Sequence, residues 1–174
     1  HVTAICSNSL STATVVTLSG NYNVLESCTI QAKKGVGIDL IGSPFYYRIE
    51  DTNIGLTSDT GVGTCILSTG GGSSVGFHGI IRGGLLVGGA YGIYFLEGCS
   101  KISDVYMLEH DTAGITFAPA TDYDTGDTTI DGCVMDFIDV AGLNIPGGHA
   151  TKSISVNNCW FYTNTGVPAI WVKN

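Results

Sequence analysis

The chain has 174 residues, 44% of them apolar and only 13% charged, with 25 glycines and four prolines. Fifteen acidic residues against seven basic ones leave a net charge of −8. That balance excludes a disordered chain, which is poor in apolar residues and rich in charge. It also argues against a nucleic-acid partner, which calls for a basic surface. No apolar run approaches the ~18 residues of a spanning helix, so no membrane insertion is expected.

Taken in chain order, one pattern recurs: a small residue followed by apolar-x-apolar. Its copies are Val15-Val16-Thr17-Leu18, Gly37-Ile38-Asp39-Leu40, Thr64-Cys65-Ile66-Leu67 and Gly92-Ile93-Tyr94-Phe95, then Gly114-Ile115-Thr116-Phe117, Gly142-Leu143-Asn144-Ile145 and Ala169-Ile170-Trp171-Val172. From Val16 onward, the first apolar residues follow one another at 22, 27, 28, 22, 28 and 27 positions. Such alternation marks a short strand with one face buried. It predicts a single inward column of Ile38, Cys65, Ile93, Ile115, Leu143 and Ile170.

A second pattern, apolar-x-x-apolar-x-apolar, lies between these copies. It reads Leu25/Cys28/Ile30, Ile49/Thr52/Ile54, Phe77/Ile80/Arg82, Ile102/Val105/Met107, Ile130/Cys133/Met135 and Val156/Cys159/Phe161. Arg82 breaks the apolar rule, and Val2 and Ile5 form an earlier partial copy. Within each copy sits a polar pair whose second member is Ser27, Asp51, Gly79, Asp104, Gly132 or Asn158. These types tolerate a left-handed backbone, so each pair reads as a sharp corner between two strands. Two interleaved repeats sharing a corner describe a coil of three short strands, the unit of a parallel β-helix. No segment sustains helical apolar spacing.

The G-I-x-Φ strands (Φ apolar), the two-residue corner, and segments such as Ile130-Asp131-Gly132-Cys133 and Val156-Asn157-Asn158-Cys159 carry a resemblance. Over nearly its whole length the chain resembles the right-handed parallel β-helix of the pectin-lyase-like superfamily. The expected fold is therefore all-β, a right-handed solenoid of about seven coils with three short strands each. Residues 1–174 are read as one such segment, part of a longer chain, because no amphipathic cap closes either end. Of the six cysteines, Cys28, Cys133 and Cys159 fall in one inward column and are read as reduced core fillers. Cys133 and Cys159 lie on adjacent coils, ~4.8 Å apart by strand spacing, but stacked side chains point the same way and suit a disulfide poorly.

In polysaccharide-processing members of this superfamily, the groove runs along the outside of the first strand stack. By position, the resemblance places Asp39, Ile66, Tyr94, Thr116, Asn144 and Trp171 on that outer face, with Asp39, Tyr94, Asn144 and Trp171 as sugar-binding candidates. An ordinary solvated strand face is the competing reading. The loop from Pro119 to Asp127 adds Tyr123; its Asp122, Asp124 and Asp127 lack the spacing and terminal glutamate of an EF-hand, so no metal or other cofactor is expected.

Aligning Met107 with Met135 puts Asp111 beside Asp139, and Glu97 lies on the other wall. Two carboxyl groups at ~5 to 9.5 Å, one protonated and one ionised, are what glycoside hydrolysis needs. Glu97, Asp111 and Asp139 are thus the catalytic candidates, against the alternative that they merely shape turns. The polygalacturonase motifs Asn-Thr-Asp, Asp-Asp, Gly-His-Gly and Arg-Ile-Lys are absent, with only echoes in Phe77-His78-Gly79 and Gly147-Gly148-His149. Neither Arg48 nor Arg82 sits beside an acidic cluster of the pectate-lyase kind.

Irregular coil lengths, low charge and unpaired cysteines look most like the β-helix body of a phage tailspike. The resemblance implies a homotrimeric virion protein that binds bacterial surface polysaccharide, capsule or O-antigen, and cleaves it as an endoglycosidase. A non-catalytic receptor-binding or structural β-helix is the first alternative. A secreted polysaccharide hydrolase or lyase is the second.

Overall fold

A computed structural model describes residues 2–5 (backbone only), 13–20, 22–41, 46–57, 62–69, 78–96, 101–118, 127–147 and 153–173. These residues form twenty strands and no helix. The strands stack into three parallel sheets of seven, seven and six members. In chain order each coil visits sheet A, then sheet B, then sheet C, before the next coil begins one rung further on. The chain is a parallel β-helix. It completes six three-strand coils and adds the strands Trp160–Thr163 and Ile170–Val172, slightly fewer than the seven coils expected.

Each sheet contributes one inward column. In sheet B it runs Val16, Ile38, Ile66, Ile93, Ile115, Leu143 and Ile170. In sheet A it runs Ile30, Ile54, Leu86, Met107, Met135 and Phe161. In sheet C it runs Leu25, Ile49, Ile81, Ile102, Ile130 and Val156. In the middle coils these side chains are fully buried, and Phe95 stacks on Phe117 with ring centres 5.3 Å apart. Alike residues on successive rungs fill the interior at a constant cross-section, which is why the repeat survives coils of unequal length. Inequality is absorbed elsewhere: between sheets B and C the chain has two residues in the first coil and ten in the fifth.

The corner from sheet C to sheet A is the most regular local feature. Ser27, Asp51, Gly83, Asp104, Gly132 and Asn158 all have φ between 46° and 66°. Five of the six corner residues expected from sequence are there. The exception is the third copy, where Gly83 replaces Gly79 and the inward residues are Ile81, Gly84 and Leu86. The expected register would have turned the Arg82 guanidinium into an apolar core, a large desolvation cost. A shifted register instead buries two aliphatic side chains and leaves Arg82 outside. Gly84 also fits for lack of space: a Cβ there would run into the backbone of Thr52.

Two more differences follow from register. Ile66, not Cys65, completes the sheet B column; Cys65 occupies the place of Gly37 and Gly92 on adjacent rungs. Its thiol is fully buried near the carbonyl oxygens of Ile54, Val87 and Gly88, at 3.8–3.9 Å, and burial pushes its pKa up. Ile170 is 44% exposed, since it is the last rung of its column among the described residues. Cys28, Cys133 and Cys159 share the corner column and are free thiols, with Cys159 half-buried. The partial copy at the start is a strand, Val2–Ile5, paired with Cys28–Gln31.

Candidate functional site

The outer column of sheet B is Thr17, Asp39, Leu67, Tyr94, Thr116, Asn144 and Trp171. Leu67 stands where Ile66 was expected, because Ile66 faces the core. Asp39 accepts a hydrogen bond from Thr69 at 3.1 Å, and Tyr94 packs edge-on against Tyr91 at 4.7 Å. Burial raises the Tyr94 phenol pKa. Asn144 is half-buried and Trp171 is exposed. Between Tyr94 and Asn144, however, Thr116 is only 1% exposed. Thr116 therefore presents no open surface in this column.

Two of the carboxylate candidates come together. Asp111 and Asp139 both follow sheet A on the same corner of adjacent coils, where the Asp139 amide donates to the His110 carbonyl at 3.1 Å. Both are exposed, and the Asp139 carboxylate accepts a hydrogen bond from the Asn164 side chain. Glu97 and Tyr123 lie outside the described residues, as do Asp122 and Asp124.

Open surface lies on the other two sheets. On sheet C, Tyr22, Tyr46 and His78 align on successive rungs and stack, with ring centres 5.1 and 5.3 Å apart and planes within 16°. Parallel in-register pairing forces this, since one rung is about 4.8 Å. Val24, Arg48 and Ile80 form the neighbouring column, and a groove of about 470 Å³ runs between the two. At its edge Glu50 is clasped by Arg48 at 2.7 Å and Arg82 at 3.4 Å. The Arg48 hydrogen bond holds the Glu50 carboxyl below its ordinary pKa. The guanidinium charges are thereby partly spent within the protein, and the groove walls are mostly hydrocarbon.

On sheet A, the outer face of the last three coils gathers Tyr106, Val134, Asp136, Phe137, Trp160 and Tyr162 around an open depression of about 380 Å³. Tyr106, Val134 and Trp160 are one column; Asp136 pairs with Tyr162 in the next. The Tyr106 hydroxyl donates to Asp136 at 2.8 Å, which raises the phenol pKa. Phe137 is an extra residue: the register slips between Asp136 and Ile138, and Phe137 has φ 53°. Regular alternation would have turned Phe137 inward and Ile138 outward. The bulge instead buries Ile138 and leaves Phe137 half-exposed, its ring meeting Tyr162 edge-to-face at 5.4 Å. A bulky residue in this backbone region costs about 1–3 kcal/mol. Bulges of this kind re-aim side chains next to functional surfaces.

Neither surface was singled out from sequence. Tyr22 and Tyr46 are 24 residues apart, the spacing of Leu25 and Ile49, so projecting outward columns as well as inward ones would have paired them. His78 joins them only after the third coil is moved to its true register. Phe137 has no periodic signal, because it owes its direction to a bulge. No known protein family, curated protein or solved structure matches the chain.

Proposed function

We propose that the chain is a glycan-binding β-helix of the phage-tailspike type, a trimeric virion protein that holds bacterial surface polysaccharide against the outside of its coils. The observation that carries this reading is the platform on sheet A, where Phe137 and Tyr106, on rungs covered from both sides, are still 50% and 38% exposed beside the Asp136 carboxylate, and Trp160 and Tyr162 extend the surface onto the last described rung. Aromatic rings offer apolar faces to sugar C–H groups, and a carboxylate accepts hydrogen bonds from sugar hydroxyls. Exposed aromatic side chains gain nothing from solvent and cost solubility, so their concentration on three adjacent coils fits a surface kept for a ligand. Retention of capsule or O-antigen polysaccharide on immobilised protein tests the reading. Trp160→Ala and Tyr162→Ala should each weaken retention by about tenfold or more. Undiminished retention by both variants would overturn it.

Cleavage is the second reading, favoured by the shared corner of Asp111 and Asp139. One rung separates their backbones by about 5 Å, near the spacing of a retaining carboxylate pair. Release of reducing ends, lost in Asp111→Asn or Asp139→Asn, is the outcome it requires.

A further inference from the structure

The sheet A platform has a chemical bias that a neutral sugar does not use. Its lining holds one carboxylate and four aromatic rings, and no lysine, arginine or histidine. One interaction is given to Asp136 by the platform, the 2.8 Å bond from Tyr106, and no other described side chain bonds to its carboxylate. An ionised carboxylate accepts through both oxygens at about four lone-pair positions, so most of its capacity faces the depression. The rings add to this negative field. Each presents an electron-rich face, and a cation within about 6 Å of a ring centre is attracted to it. The strained backbone at Phe137 brings in a fourth ring that an unbulged strand would have placed in the core. A net charge of −8 on the whole chain favours approach of a cation from a distance.

Sheet C is arranged differently. There the aromatic column sits beside two arginines that share Glu50, so its charges are already paired. On sheet A the one acid of the lining stands among rings, with no cation among the lining residues.

The geometry points to a glycan carrying a protonated primary amine, an unacetylated amino sugar, as the ligand of this platform. The ammonium sits between the Asp136 carboxylate and the rings, while the adjoining sugar face lies on Trp160 or Tyr162. The inference rests on the glycan-binding reading above and specifies the sugar class it takes. Acetylation of the amine would remove the charge and leave the carboxylate facing a neutral amide.

Calorimetric titration of the intact protein with two defined probes tests it, at about pH 6, below the ordinary amine range. The probes are a β-1,4-linked glucosamine tetramer and its fully N-acetylated counterpart. The amine form should bind at least about tenfold more tightly, and the preference should shrink as salt is raised. Asp136→Asn should erase the preference. Tyr106→Phe, which keeps the carboxylate and frees its second oxygen, should retain it. Equal binding of both probes, with Asp136→Asn without effect, would overturn the amine assignment and leave the glycan-binding reading standing. Binding of neither probe would overturn the assignment, and if polysaccharide retention were also insensitive to Trp160→Ala and Tyr162→Ala, the broader reading would fall with it.

Discussion

The imidazole Nδ1 of His110 lies 2.9 Å from the carbonyl oxygen of Gly88, on the coil before it. His110 is completely buried, its Nε2 has no partner among the described residues, and burial lowers its pKa to about 4. The geometry suits a neutral ring that donates from Nδ1. The imidazole therefore joins two coils at the turn that also carries Asp111, and has no exposed atom with which to meet a substrate.

Stability should consequently fall on acidification. Above about pH 6.5 the ring is neutral in both folded and unfolded chains. Between about 6.5 and 4 the unfolded chain binds a proton that the folded one refuses, so stability declines across that window by up to about 3 kcal/mol. Glu50, its pKa depressed by Arg48, stabilises above the ordinary carboxylate range, and that contribution is lost as pH falls further. Urea unfolding at a series of pH values reads both. In His110→Gln the slope between pH 6.5 and 4 should flatten; an unchanged slope would assign it to other groups.

Glycine spacing in sheet B should be enforced by packing. A Cβ on Gly142 would lie 2.8 Å from the carbonyl oxygen of Ala169 and collide with the Phe161 ring. Gly142→Ala should cost about 1–3 kcal/mol, as overpacked cores do. Gly55 on sheet A has nothing near its would-be Cβ, and Gly55→Ala should fall within about 0.5 kcal/mol of the parent. Thermal melts of the two variants compare them directly.

Phe137 should trade stability for surface. Phe137→Gly relieves about 1–3 kcal/mol of backbone strain and gives up about 0.5–1.5 kcal/mol of ring contact with Tyr162. The variant should be as stable as the parent or more so, yet retain less polysaccharide. Phe137→Val keeps a side chain in the left-handed region and branches it at Cβ, so it should be less stable than either. A melting temperature for Phe137→Gly well below the parent's would show that the ring anchors the coil.

Thiol reactivity should follow depth. Burial leaves Cys133 fully enclosed and raises its pKa to about 12, whereas Cys159 on the next rung is half-buried. Since the thiolate is the reactive form, an aromatic disulfide reagent should label Cys159 before Cys28, and Cys65 and Cys133 only on unfolding. Peptide mapping after timed labelling gives the order.

Much of the architecture was legible in one dimension because a solenoid repeats in the same direction as its chain. Every coil must present apolar residues to the same interior, so the period and the left-handed corners at Ser27, Asp51, Asp104, Gly132 and Asn158 stand out in the letters alone. The third coil departs from its expected register for a physical reason too. Its segment from 77 to 86 contains two overlapping apolar patterns, and the cost of burying Arg82 and the tight space at Gly84 choose between them.

By itself, the sequence determined the three-strand repeat, the corner chemistry and most of the inward columns, all of which depend on neighbours in the chain and on simple burial. Tertiary structure decided which outward residues meet. Tyr22, Tyr46 and His78 become one wall, and Tyr106, Asp136, Phe137, Trp160 and Tyr162 one platform, through register between strands 24 to 32 residues apart and through a single bulge. Outward positions face no common core, so their residue types are not constrained to repeat, and the stacking of coils decides which of them meet.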